Sequence, residues 1–280
     1  MSNSLESIVL LGTAYSGSTA LGMALHSSKN KITYVGELSR IPGMFEKYQL
    51  DREVGTCSAC LINQEDCKIY TDQLFKKLQQ KNPAEVHKYL IRHLKTKTIV
   101  DASKHPAWLR LLAQATPIDQ IRVIITVKNP KYYVQSCLDR DIDSAWLAAN
   151  AWRDTYYDTL RTLNRLGIAY YVVRNEDFLL NKLQVIRNIE NFLGLHYKLE
   201  SQTKPIHAIG GNPAARVEEF GRQKILQSAK RLSRQVFDFN HQKTHSNSRQ
   251  KITFDTQVLF DTPGLSDMAN LLGYTVGDIV

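Results

Sequence analysis

The 280-residue sequence predicts an α/β fold in three layers, with a central parallel sheet between helices. Three observations predict it. Short apolar β-type runs alternate with helical patterns along the chain, as βαβ units do. One of the runs, Ile121–Val127, is apolar almost throughout, which marks a strand covered on both faces. The first run, Ser7–Leu11, ends at Gly12 and passes through a Gly/Ser/Thr-rich turn into a helical pattern that Thr19 opens.

The elements follow in order. After the helix carrying Leu21, Met23, Ala24 and Leu25, Lys31–Val35 reads as a second strand ending at Gly36-Glu37-Leu38. Residues 40–70 have no period and hold three of the four cysteines, so they read as an insertion. Asp72–Gln80 and Pro83–Leu94 have helical patterns. Thr98–Val100 is a strand running into Asp101-Ala102-Ser103-Lys104, and a helix follows over Pro106–Ala115. The run Ile121–Val127 reaches Lys128-Asn129-Pro130 and then a helix near Tyr132–Leu138. Ser144 is suited to cap a long helix that Gly167 closes. Ile168–Val173 is a further strand, Asn181–Phe192 a helix with Gly194 after it, and Leu265–Leu272 a closing helix. The polar stretch 240–251 predicts a mobile loop, and Trp108, Trp146 and Trp152 read as core. A single domain over residues 1–280, carrying the insertion at 40–70, is the expected organisation.

Composition narrows the class. Hydrophobic residues are 43% and charged residues 22%, which excludes a collagenous, coiled-coil or largely disordered chain. No apolar run reaches the roughly 18 residues of a membrane span. The first residues carry Glu6 and no basic group, unlike a signal peptide, so a cytoplasmic protein is expected. The net charge of +9 favours anionic partners, but no basic-aromatic stripe accompanies it, so nucleic acid is not the expected one. Cys57-x-x-Cys60 followed by Cys67 is open to three readings: free thiols, a local disulfide, or a metal site short of an obvious fourth ligand.

The strongest local signal is Gly12-Thr-Ala-Tyr-Ser-Gly-Ser-Thr19. Its glycines have the spacing of a P-loop, whose curled backbone turns N–H groups inward at a helix N-terminus to hold a phosphate-like oxyanion. The nucleotide-hydrolysing form continues Gly-Lys-Ser/Thr. Here Ser18 and Thr19 follow Gly17, and the lysine that clamps β- and γ-phosphates is missing.

These residues resemble the sulfotransferase superfamily, whose donor is 3'-phosphoadenosine 5'-phosphosulfate (PAPS). The family's first motif, Arg/Lys-Ser-Gly-Ser/Thr-Thr, is similar to Ser16-Gly17-Ser18-Thr19, with Tyr15 where the basic residue usually stands. Its second motif, Arg-Asp-Pro-Arg with a later Ser, is similar to Lys128-Asn129-Pro130-Lys131 with Ser136. The resemblance implies a P-loop-like sulfotransferase fold, the 5'-phosphosulfate on Tyr15–Thr19 and the 3'-phosphate on Lys128 and Ser136. Gly36-Glu37-Leu38 resembles a segment of protein-tyrosine sulfotransferases and bacterial relatives in which the Glu is the general base. Asp101-Ala102-Ser103-Lys104 resembles a strand-end segment whose Lys faces the transferring group. His207-Ala-Ile-Gly-Gly-Asn212-Pro213 resembles a late donor loop, which makes Arg216, one residue beyond the usual spacing, a further donor contact. The cysteine pattern also resembles a cysteine-bearing insertion of bacterial relatives.

The implied chemistry moves a sulfuryl group to an acceptor hydroxyl or amine. The acceptor must lose a proton, for which Glu37 is the first candidate and His105 the second. Lys104 is the candidate cation for the transferring group. The scheme requires no metal. Glycan, lipid, small metabolite and peptide acceptors all remain open. A nucleotide kinase with a degenerate P-loop and a non-catalytic nucleotide- or nucleic-acid-binding module are the rival readings.

Overall fold

The computed structural model describes residues 5–41, 57, 60, 67–195, 206–211 and 254–279. Five strands form one sheet: β1 (Ser7–Gly12), β2 (Ile32–Gly36), β3 (Thr98–Lys104), β4 (Ile121–Val127) and β5 (Tyr170–Arg174), in the order β2-β3-β1-β4-β5. Every pairing is parallel. Parallel neighbours need crossovers, and the helices that make them cover both faces.

Alternation along the strands divides the core in two. Val9, Leu11, Ile99, Val123, Ile125 and Val127 point to one face, where Trp108, Leu109, Trp152 and Tyr156 meet them. Ile8, Leu10, Val100, Ala102 and Ile124 point to the other, against Leu21, Leu25, Ile186 and Ile189. The first face is covered by α4 (Pro106–Leu112) and the long α6 (Ala145–Leu166), the second by α1 (Ser18–Leu25) and α8 (Lys182–Leu193). Strand β1 is buried throughout and β4 everywhere except Arg122, as their largely apolar runs predict.

Local signals set the helix ends. The Ser144 side chain accepts from the Leu147 N–H, and Gly167 ends α6 in the left-handed conformation. Pro106 and Pro130 occupy first-turn positions of α4 and of α5 (Pro130–Leu138), where a missing N–H costs nothing. Thr71 caps α2 (Asp72–Gln79) by accepting from Leu74. The segment 83–94 divides into a 3-10 turn, Pro83–Glu85, and α3 (Val86–His93).

The structure differs from the sequence expectations in several places. Strand β3 continues to Lys104 rather than stopping at Val100, because Asp101–Ser103 are buried with it. Helix α7 (Asn175–Leu180), α9 (Gln257–Asp261) and α11 (Val276–Ile279) are too short to show a period, whereas α10 (Leu265–Leu271) was legible. Trp108 and Trp152 are fully buried, but Trp146, on the first turn of α6, is 53% exposed. The expected loop at 240–251, most of the insertion at 40–70, and Arg216 lie outside the described residues. Among the described residues no helix is long and apolar enough to cross a membrane.

Candidate functional site

Strand β1 lies between β3 and β4, and the chain leaves it toward β2 on one side while β4 lies on the other. Such a reversal of strand order opens a crevice beyond the carboxyl ends of the strands. The loop after β1 lies there. Gly12 has φ +143°, and a Cβ on it would stand 2.1 Å from the Thr126 carbonyl oxygen, so only glycine lets β1 approach β4 so closely. Gly17, at φ +86°, is the N-cap of α1, and a Cβ there would meet Asn175 Oδ1 at 2.1 Å. Tyr15 between them is left-handed without being a glycine (φ 63°), backbone strain of the kind that concentrates at functional sites.

The loop is braced from below. The Ser16 hydroxyl donates to the Thr13 carbonyl at 2.8 Å and bonds Thr126 Oγ1 at 2.8 Å, so its side chain faces the protein. Tyr156, buried on α6, donates to the Thr126 carbonyl at 2.9 Å and accepts from the Thr13 N–H at 3.4 Å. Ser18 and Thr19 are almost wholly buried but reach the cavity above them.

That cavity, about 520 Å³, is lined by Tyr15, Gly17, Ser18 and Thr19 of the loop and by Lys128, Ser136 and Arg140. Lys128 donates to Ser136 Oγ at 2.7 Å, and Ser136 donates to the Tyr132 carbonyl at 2.8 Å. Burial, and next the Arg140 charge, lower the Lys128 pKa from its ordinary value. Arg140 donates to the Ser136 carbonyl at 2.7 Å, and its guanidinium lies 4.3 Å from the Tyr15 ring centre. Burial raises the Tyr15 pKa even beside Arg140, so Tyr15 offers a neutral ring and the adjacent cation comes from Arg140. Four cationic side chains, Arg40, Lys104, Lys128 and Arg140, line this cavity against one carboxylate, Glu37. That balance of charge suits an anion.

Glu37 lines the cavity as well. It is 5% exposed, and its two oxygens are held separately, Oε1 by Lys104 Nζ and Oε2 by Arg40 Nε. A second cavity of about 230 Å³ opens beside it, lined in part by Thr13, Ser39, Ser103, His105 and Tyr133. Ala14, Glu37, Arg40 and Lys104 line both cavities. His105 thus lies on the smaller cavity only.

A buried network places this ion-paired group. Asp101 Oδ1 accepts from the Ser103 N–H at 2.8 Å and from its hydroxyl at 2.5 Å. Oδ2 accepts from Trp108 Nε1 at 2.6 Å and bonds His87 Nε2 at 2.9 Å, and His87 Nδ1 bonds Ser7 Oγ at 2.8 Å. Ser103 Oγ in turn accepts from the Ser39 N–H at 3.0 Å, fixing the 3-10 turn Leu38–Arg40 that begins just after Glu37. The register of β3 slips against both neighbours near Asp101–Lys104, and Lys104 takes φ 66°, which turns its side chain toward Glu37.

The segment of the expected donor loop reaches the larger cavity through Gly211, while the His207 side chain faces the cysteines. Its Nδ1 lies 3.6, 3.4 and 3.4 Å from the sulfurs of Cys57, Cys60 and Cys67. The fourth metal-type ligand, not found near the cysteines in sequence, thus comes from a segment 140 residues beyond Cys67. None of the described cysteines is in a disulfide. Arg40, Arg140 and Asn175 are site residues that sequence reasoning missed. Arg40 had a usable signal, its i,i+3 spacing from Glu37. Arg140 had a weaker one, lying one turn beyond Ser136.

No protein-family model matches the chain, and neither does any curated protein. Solved structures do. One is the sulfotransferase domain from the Synechococcus PCC 7002 olefin synthase, 19% identical, with 97% of this chain and 95% of that one covered at a TM-score of 0.58. Another is the sulfotransferase domain from the curacin biosynthetic pathway, 15% identical, with 82% and 99% covered at a TM-score of 0.54. At these identities the likeness is one of architecture, and the architecture of this chain is the sulfotransferase-type fold.

Proposed function

We propose that the protein is a PAPS-dependent sulfotransferase. One observation carries the reading: a cation-lined cavity bordered by a phosphate-type loop shares the Glu37–Lys104 pair with a second, smaller cavity. A two-ligand transfer needs this layout, with a donor cleft, an acceptor cleft and the proton-handling group where they meet. The residues present suit the donor. Backbone N–H groups of 17–19 at the start of α1 suit its 5'-phosphosulfate, and Lys128, Ser136 and Arg140 suit its 3'-phosphate. A triphosphate would find Ser18 where its lysine clamp belongs.

When bound, the donor supplies a sulfuryl group whose bond to the 5'-phosphate oxygen breaks as the acceptor oxygen or nitrogen bonds to sulfur. Glu37 takes the acceptor's proton. Each Glu37 oxygen is paired with one cation and keeps a second lone pair, which an acceptor hydroxyl can reach. Lys104, held beside it, meets the negative charge that develops on the leaving oxygen. Ser103 and His105 line the acceptor side, and the small volume there suits one end of an acceptor rather than a whole polymer.

The test is calorimetric titration with 3'-phosphoadenosine 5'-phosphate (PAP), ATP with Mg²⁺, and AMP. Micromolar binding that needs the 3'-phosphate and weakens in Lys128→Ala supports the reading. Preference for Mg-ATP, or no nucleotide binding, refutes it in favour of a kinase or a non-catalytic module.

A further inference from the structure

Three thiols and one imidazole nitrogen converge on a single point, and none of the four lines either cavity described above. Cys57, Cys60 and Cys67 Sγ and His207 Nδ1 all lie within 4.8 Å of one another. Hydrogen bonding does not account for the arrangement. One imidazole nitrogen donates or accepts a single bond in its plane, yet three sulfurs stand 3.4–3.6 Å from Nδ1. A shared cation does account for it. With Zn–S of about 2.3 Å and Zn–N of about 2.05 Å at tetrahedral angles, the S···N edge comes to about 3.6 Å. The three measured separations lie within 0.2 Å of that value.

The surroundings fit a metal centre. The Tyr70 N–H donates to Cys67 Sγ at 3.1 Å, the kind of outer contact that orients a ligating sulfur and spreads its charge. Cys57 and Cys60 are buried. His207 comes from a segment 140 to 150 residues beyond the cysteines, so the ligands are not neighbours by accident of sequence. Ile209, two residues after His207, bridges to Cys57 on one side and Gly36 on the other. Its N–H donates to the Val35 carbonyl at 2.9 Å, and its carbonyl accepts from the Glu37 N–H at 2.8 Å. Gly36 makes this possible: at φ +86°, a Cβ on it would stand 2.1 Å from the Ile209 oxygen.

We propose that Cys57, Cys60, Cys67 and His207 bind one Zn²⁺ in a closed, structural site. Three thiolates and an imidazole leave no coordination position for water or substrate, which distinguishes it from a catalytic zinc. The ion ties Cys57, Cys60 and Cys67 to the segment 206–210, whose Ile209 pairs with Gly36 beside Glu37. The ligands are deprotonated thiolates, so binding releases protons to solvent and the site weakens in acid.

The test is elemental analysis of the full chain purified without chelator, followed by replacement of the metal with Co²⁺. The expected results are one zinc per chain and, with cobalt, the sulfur-to-metal charge-transfer and visible bands of a tetrahedral thiolate site. His207→Ala is expected to keep the fold and bind zinc at least about tenfold more weakly. In the zinc form Cys57, Cys60 and Cys67 are expected to resist a thiol reagent until a strong chelator is added. Less than about a tenth of a zinc per chain after incubation with Zn²⁺, with no cobalt bands, would overturn the proposal. Iron in the same stoichiometry would overturn the choice of ion. None of these readouts depends on sulfuryl transfer, so the site and the proposed activity stand or fall separately.

Discussion

Replacing Arg140 with alanine separates a charge that the sequence motif lacks from the charges it contains. Tyr15 occupies the usual basic position of the loop, and Arg140 stands 4.3 Å from its ring while lining the cavity with Lys128 and Ser136. If Arg140 contacts the 3'-phosphate, Arg140→Ala removes one charge-assisted hydrogen bond, worth about 1.5–3 kcal/mol. That corresponds to a loss of about 10- to 150-fold in PAP affinity. One effect adjusts the figure. Arg140 also helps lower the Lys128 pKa, so its removal strengthens the Lys128 ammonium and pulls the loss toward the lower end. Arg140→Lys keeps the charge without the planar fork, and should recover only part of the affinity. Calorimetry with PAP and with AMP is the assay. The loss should appear with PAP and largely vanish with AMP, which has no 3'-phosphate. Equal losses for both ligands would move Arg140 to the 5' side. No loss for either would refute its place in the site.

Glu37→Gln is expected to leave PAP affinity within a few-fold and to reduce turnover by about 10²- to 10⁴-fold, measured with any acceptor that supports transfer; turnover at the parental rate would eliminate Glu37 as the base. PAP affinity should hold at neutral pH and fall as pH rises, because the binding form of Lys128 is the protonated one. With its pKa held below the ordinary 10.5 by burial and by Arg140, the fall begins at a lower pH than for an exposed lysine, and Arg140→Ala moves it back upward. Asp101→Asn sets an amide N–H against the donors of Ser103, or of Trp108 and His87, inside the sheet. A cost of about 3–5 kcal/mol is expected, a drop in Tm of roughly 10 °C by calorimetry; a change under 2 °C would mean the network relaxes without strain.

The sequence alone determined the strands, the parallel sheet and the phosphate-type loop. Those features are written in short-range chemistry: a largely apolar run at Ile121–Val127, glycines at 12 and 17 where the backbone turns left-handed, and Ser144 and Gly167 at the ends of one helix. Glu37, Lys104 and Lys128 were legible too, because each stands at the carboxyl end of a strand that its own neighbours define. The tertiary structure decided what those residues face. Arg140 reaches Tyr15 from the end of α5, and Arg40 shares Glu37 with Lys104. Asp101, an ordinary strand-end acid in sequence, became the acceptor for three side chains. His207 turns its side chain to three sulfurs that precede it by 140 to 150 residues. The physical reason is common to all of them. Periodicity and turn preference act over a few residues, whereas charge pairing and ligand sets need groups brought together only by the order of strands in the sheet, and no local pattern records that order.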